Sequence, residues 1–267
     1  MMLAQSRLTL ALVALAAALA ALPASAQAQK KKAAPKVKPA CGIKMLPFAE
    51  GSEWTYKYFV PEGVQLPPGV RIQDPPSVTI KVVKVEKAGA ATRIALEESY
   101  RKVVVKTELE CDKKGLLVPP DSFFYSGQPG GGLLMKLGKI ERKAETNIFA
   151  AGGFKGEAFE ELKTSVTREP SPGSGAVLAP AKLELERKMT VGTAKEVVEA
   201  LSGSLRATRL TIQQTGRSTL DTQADKPFNM PQLDVAMWYT QDVGVVRVQN
   251  SVGQGWSLTE HKVATGQ

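Results

Sequence analysis

The chain carries one histidine, His261, and two cysteines, Cys41 and Cys111. A Ser-His-Asp hydrolase would have to use His261 as its base. That residue lies in Leu258-Thr259-Glu260-His261-Lys262, a strand pattern among charged neighbours. No G-x-S-x-G elbow supplies a nucleophile. Ser99-Tyr100-Arg101-Lys102 spells S-x-x-K. A serine of that type opens a helix, whereas this one falls between two strand patterns, with no S-D-N or K-T-G partner. A structural zinc site needs four N or S ligands, and Cys plus His total three. In an oxidising compartment the two cysteines pair. Their separation is 70 residues, without the C-x-x-C spacing of a redox pair. A Cys41–Cys111 disulfide is therefore expected.

Paired carboxylates stand at Glu97/Glu98, Glu108/Glu110 and Glu160/Glu161. Glycoside hydrolysis needs two acids about 5 to 10 Å apart across a cleft. Adjacent strand residues point to opposite faces, so Glu97 and Glu98 cannot face one substrate together. Glu108 and Glu110 share a face, expected to be the wet one. All three pairs read as solvated sheet positions. No acid-rich loop matches an EF-hand. The glycine-rich run Gly127–Gly132 leads into Leu133-Leu134-Met135, not into the Lys-Ser or Lys-Thr of a phosphate loop. Just before it, Phe123-Phe124-Tyr125 set three aromatics beside the glycines. Such a segment either gates an apolar cavity or plugs the open face of a sheet. No catalytic residue, metal ligand or cofactor is expected.

The elements that must position these residues are strands. From Cys41 onward the apolar period is near two, not 3.6. Rings alternate in Trp54-Thr55-Tyr56-Lys57-Tyr58-Phe59-Val60, and Val78-Thr79-Ile80-Lys81-Val82 alternates likewise. Val103, Val105, Thr107, Leu109 and Cys111 line one face of a strand, with Lys102, Lys106, Glu108 and Glu110 on the other. Ile94 and Leu96, then Leu183, Leu185 and Met189, then 205–213, 245–249 and 256–263 extend the set. One wet face per strand fits an antiparallel sheet. One stretch, 194–202, stays open. Thr193 to Glu196 fits a helix capping box, while 196–200 also fits a strand ending in a Ser202-Gly203 turn. The fold class expected is mainly β: a curved antiparallel sheet or half-barrel with at most one or two short helices.

Gly51-Ser52-Glu53-Trp54-Thr55-Tyr56 resembles the opening strand of many secreted bacterial β-rich proteins of unknown function. Gly203-Ser204-Leu205-Arg206-Ala207-Thr208-Arg209-Leu210 is similar to their small-residue turn and following strand. Trp238-Tyr239 ahead of Val243-Gly244-Val245-Val246 is similar to their closing hairpin. The resemblance implies a curved antiparallel sheet. At the level of fold alone it is similar to the half-barrels of periplasmic lipoprotein carriers, and it brings no catalytic residues.

The chain has 267 residues and a net charge of +9. Arg7, the apolar run Leu8–Leu22 and Pro23-Ala24-Ser25-Ala26 form the three parts of a secretory signal, so 1–26 is read as a cleaved signal peptide. Residues 27–40 form a Lys-rich tether, and 41–267 form one β-rich domain. Flexible insertions are expected near 61–76, 119–132 and 168–181. No later apolar stretch is long enough for a transmembrane helix. Arg7 and five tether lysines account for six of the nine charges, leaving +3 on the domain. A nucleic-acid binder needs a basic stripe on its folded surface, so that class is disfavoured. The expectation is a periplasmic or secreted, non-enzymatic protein that holds an apolar ligand or partner segment. Trp54, Tyr56, Phe123, Phe124 and Trp238 are its candidate lining, and lipid, lipoprotein or envelope polymer its candidate partners. The alternatives are an adhesive surface module and, more remotely, a hydrolase with an unrecognised site.

Overall fold

The computed structural model describes residues 40–64, 75–132, 135–144, 149–150, 154, 156–168, 180–262 and 264. The expected signal peptide, the tether up to 39 and the central parts of two expected insertions (65–74 and 169–179) lie outside the described residues.

The alternating patterns become strands. In the first half these are β1 (Glu53–Phe59), β2 (Ser77–Ala88), β3 (Ala91–Tyr100), β4 (Val103–Asp112) and β5 (Gly115–Leu117). After a short helix, α1 (Phe123–Ser126), come β6 (Met135–Leu137), β7 (Glu141–Ala144), β8 (Glu157–Arg168), β9 (Ala181–Ala200), β10 (Gly203–Leu220), β11 (Phe228–Thr240), β12 (Gly244–Asn250) and β13 (Gly255–Lys262). They form one antiparallel sheet in the order β5-β4-β3-β2-β1-β13-β12-β11-β10-β9-β8-β6, with β7 also on β8. The last strand pairs with the first at the centre of this order, and hairpins carry the sheet outward on both sides. Register shifts interrupt the β1–β13, β2–β3, β9–β10, β10–β11 and β11–β12 ladders. Such bulges bend strands and increase their twist, and the sheet is open and curved.

Residues 194–202 are strand and turn. β9 runs to Ala200, and Leu201 and Ser202 both take positive φ, 52° and 59°, the conformation of a two-residue hairpin turn. Glu196, the acid of the candidate capping box, instead accepts the Trp238 indole N–H at 2.7 Å across the sheet.

The core lies on the inner face. Val78, Ile80 and Val82 of β2, Ile94 and Leu96 of β3, and Leu109 and Cys111 of β4 are buried there. The two ends of the curled sheet are tied across the gap. Arg142 on β7 donates from Nη2 to the carbonyl of Val118, just past β5, at 2.6 Å. Before β1, Ile43, Leu46 and Phe48 are buried. A disulfide joins Cys41 to Cys111 at the end of β4, with the Cα atoms 6.0 Å apart. It fixes this apolar lead-in over the first half of the sheet. Among the described residues no helix is long and apolar enough to cross a membrane.

Candidate functional site

Residues 119–130 are largely buried. They turn inward, and Phe123, Phe124 and Tyr125 of α1 are buried on the inner face of the sheet. Phe123 lies 4.7 Å from the Tyr56 ring and 6.4 Å from Trp256. Phe124 lies 6.0 Å from Trp54 and 5.1 Å from Phe48. A helix of four residues cannot sustain itself in water, so its form comes from its surroundings. Ser122 caps it, its Oγ accepting the Phe124 N–H. Gly127 closes it with φ 70°, donating to the Phe123 carbonyl at 2.7 Å. A Cβ at Gly127 would overlap the Val248 side chain, so glycine lets α1 press against β12.

Each end of α1 meets a buried charge. Glu98 of β3 is fully buried and accepts three hydrogen bonds, two from the start of α1 and one from beyond its end. They come from Ser122 Oγ at 3.0 Å, the Phe123 N–H at 2.7 Å and the Gly130 N–H at 2.9 Å. Burial pushes the Glu98 carboxyl up to about 7, against the downward pull of those three donors. At its far end, Arg187 of β9 donates from Nη2 to the Tyr125 carbonyl at 2.5 Å, and its guanidinium lies 3.5 Å from the centre of the Tyr125 ring. The Tyr125 hydroxyl donates to Glu160 Oε1 at 3.4 Å. Burial pushes this hydroxyl up to about 12. Glu160 in turn sits 3.3 Å from Arg142 Nε, close enough for ion pairing though not aligned for a hydrogen bond.

Of the five expected lining residues, the structure brings Trp54, Tyr56, Phe123 and Phe124 together and leaves Trp238 apart. Alternation along β11 turns Met237 and Tyr239 inward and Trp238 to the other face. There it bonds to Glu196 and lies 5.4 Å under the Arg209 guanidinium. Trp256 takes the place expected of Trp238, packing on Tyr58, Tyr100 and Phe123. Its indole N–H is buried with no hydrogen-bond partner among the described residues. His261 is half-buried, stacked on Trp54 at 5.4 Å and 19°, and burial lowers its pKa.

The carboxylate pairs do not all behave as solvated positions. Glu108 and Glu110 do, flanking Arg93 on the wet face. Glu98 and Glu160 are buried. The signal was present in the period-two pattern. Ile94, Leu96 and Glu98 share a face, as do Ala158, Glu160 and Leu162, and Leu183, Leu185, Arg187 and Met189. A charge in phase with apolar neighbours marks a core position. Elsewhere, an open groove of about 360 Å³ runs between Glu184, Arg217 and Met230. It is polar and exposed, unlike the apolar inner face.

No known protein family matches the chain, and neither does any curated protein. Two solved structures resemble it in fold. One is a Bacteroides fragilis protein described as exported, with a YmcC-like fold. It is 10% identical, with a TM-score of 0.46, over 82% of this chain and 98% of that one. The other is a Parabacteroides distasonis protein described as a lipoprotein. It is 14% identical, with a TM-score of 0.43, over 82% of this chain and 99% of that one. At these identities and scores neither likeness bears on function.

Proposed function

We propose that this is an extracytoplasmic, non-enzymatic binding protein that holds an apolar ligand or partner segment on the inner face of its sheet, in the place α1 occupies. One observation carries the reading. The aromatic floor of Trp54, Tyr56 and Trp256 is covered by a four-residue helical turn, with Phe48 of the lead-in beside it on Trp54, and not by a second sheet or a long helix. A cover this short buries two phenylalanine rings and is held at its ends by polar bonds. A ligand that exchanges with it must match its apolar contact and offer new partners to the buried charges at its ends, because a buried charge stripped of its partners is strongly unfavourable. The signal-like pattern of residues 1–26 and the disulfide support a location outside the cytoplasm.

The test is native mass spectrometry of the mature protein after mild extraction, with titration of the neutral apolar dye Nile red. A retained apolar mass, or saturable dye binding that Phe123→Ala alters, is expected. A protein that emerges empty and binds no dye contradicts the reading.

A further inference from the structure

The inner face is apolar along its floor but not along its walls. On the β7–β9 wall two cations, Arg142 and Arg187, face one carboxylate, Glu160. Although Glu160 is the cross-strand partner of Arg187, its carboxylate is the one that sits beside Arg142. No carboxylate of the described residues lies within 4.0 Å of the Arg187 guanidinium. Arg187 is 4% exposed, and its Nε has no hydrogen-bond partner among the described residues. The wall therefore carries one unit of positive charge in excess, buried and incompletely satisfied.

Among the described residues, the hydrogen-bond and ring partners of Arg187 belong to α1, namely the Tyr125 carbonyl and ring. They leave whenever α1 leaves. A buried cation stripped of its partners is strongly unfavourable, so whatever replaces α1 must bring an acceptor, and an anionic one restores charge balance as well. A guanidinium takes a carboxylate or phosphate through two parallel hydrogen bonds. A cationic head would add to the excess charge. The same replacement also has to cover the aromatic floor. Phe123 touches Tyr56 and Trp256 while Tyr125, two residues on, touches Arg187. One ligand lying along α1's track meets both.

Resting on the binding role proposed above, we propose that the inner face takes an anionic amphiphile. Its acidic head sits on Arg187 in the place of the Tyr125 carbonyl, and its apolar chain lies over Trp54, Tyr56 and Trp256. Glu98, at the opposite end of α1, loses its three donors in the same exchange and takes up a proton instead of remaining a bare buried charge, so only the Arg187 wall attracts an anionic head, which fixes the ligand's direction.

The experiment displaces Nile red from the mature protein at pH 8. The competitors are dodecanoate, 1-dodecanol and dodecyltrimethylammonium, each below its aggregation limit. Dodecanoate is expected to compete at a concentration at least tenfold lower than the other two. Arg187→Gln should bring dodecanoate to the level of dodecanol, and Arg187→Lys should keep most of the preference. If the dye binds but the three chains compete equally, or the ammonium competes best, the anionic head is overturned while the apolar site stands. If the dye does not bind and no chain associates, both proposals fall. The wild-type comparison of the three heads decides the matter even where an Arg187 variant folds poorly.

Discussion

Glu98 and Arg187 hold opposite ends of the same short helix, and they hold it with unequal completeness. Glu98 receives three donors on its two oxygens and sits on β3, whose neighbour β4 is stapled by the disulfide. Arg187 spends one nitrogen on a carbonyl, leaves Nε unpaired, and sits beside strands with no covalent tie among the described residues. The charges suit the helix ends they meet, since first-turn N–H groups want an acceptor and terminal carbonyls want a donor. The difference shows that α1 is anchored on its Glu98 side and only rested against its Arg187 side.

This contrast can be broken in several ways. The largest effect should come from the staple. Reducing or removing Cys41–Cys111, which closes a 70-residue separation, should cost about 4 kcal/mol in the loop-entropy treatment. Denaturant midpoints with and without reductant measure it, and an unchanged midpoint would remove the covalent part of the contrast.

Next comes the titration of Glu98. Its carboxyl is raised from 4.5 to about 7. Between those values the folded chain keeps a proton that the unfolded chain has lost, so raising the pH favours unfolding. Stability gained below pH 4.5 should fall by about 3 kcal/mol by pH 7 and beyond. His261 works the other way, because its lowered pKa costs stability as the pH falls below its ordinary range. The difference between wild type and Glu98→Gln isolates the Glu98 part. A flat difference across pH 4 to 8 would show that the carboxylate is not a buried anchor.

Gly127→Ala should cost about 2 kcal/mol, since it crowds Val248 and strains a positive φ. Thermal unfolding reads this directly. Arg187→Met should cost only about 1 kcal/mol, because an apolar residue of similar length removes an unsatisfied buried charge along with its single good bond. A loss equal to that of the disulfide would mean that both ends of α1 are anchored alike. At the bottom of the scale, Lys84→Ala breaks an exposed pair with Glu86 and should leave the midpoint unchanged.

Much of the fold was legible in the sequence because strands with one wet face write themselves as alternation. Trp54 and Tyr56, Leu109 and Cys111, and Leu183 and Leu185 all fall on the buried face that their spacing predicts. The disulfide followed from cysteine count and compartment. The aromatic cluster of the candidate site was legible only in part. Four of its aromatics could be named, but the sequence does not say which strands become neighbours, so Trp256 beside Phe123 was hidden and Trp238 was misplaced. The GQPGGG run drew 119–132 toward the reading of a loop. The helix before it is set by tertiary partners, Glu98 and Arg187, that lie far away in the chain. Those charges were themselves in phase with apolar neighbours, a signal that the habit of placing charges on the wet face conceals.

Amide hydrogen exchange at Phe123 and Gly130 tests the central claim most directly, because both N–H groups are bonded to Glu98 beneath the cover. With Nile red bound at saturation, displacement of α1 predicts faster exchange at both amides while the β1 and β13 ladder stays protected. Unchanged or slower exchange at Phe123 and Gly130 with the ligand bound would contradict it.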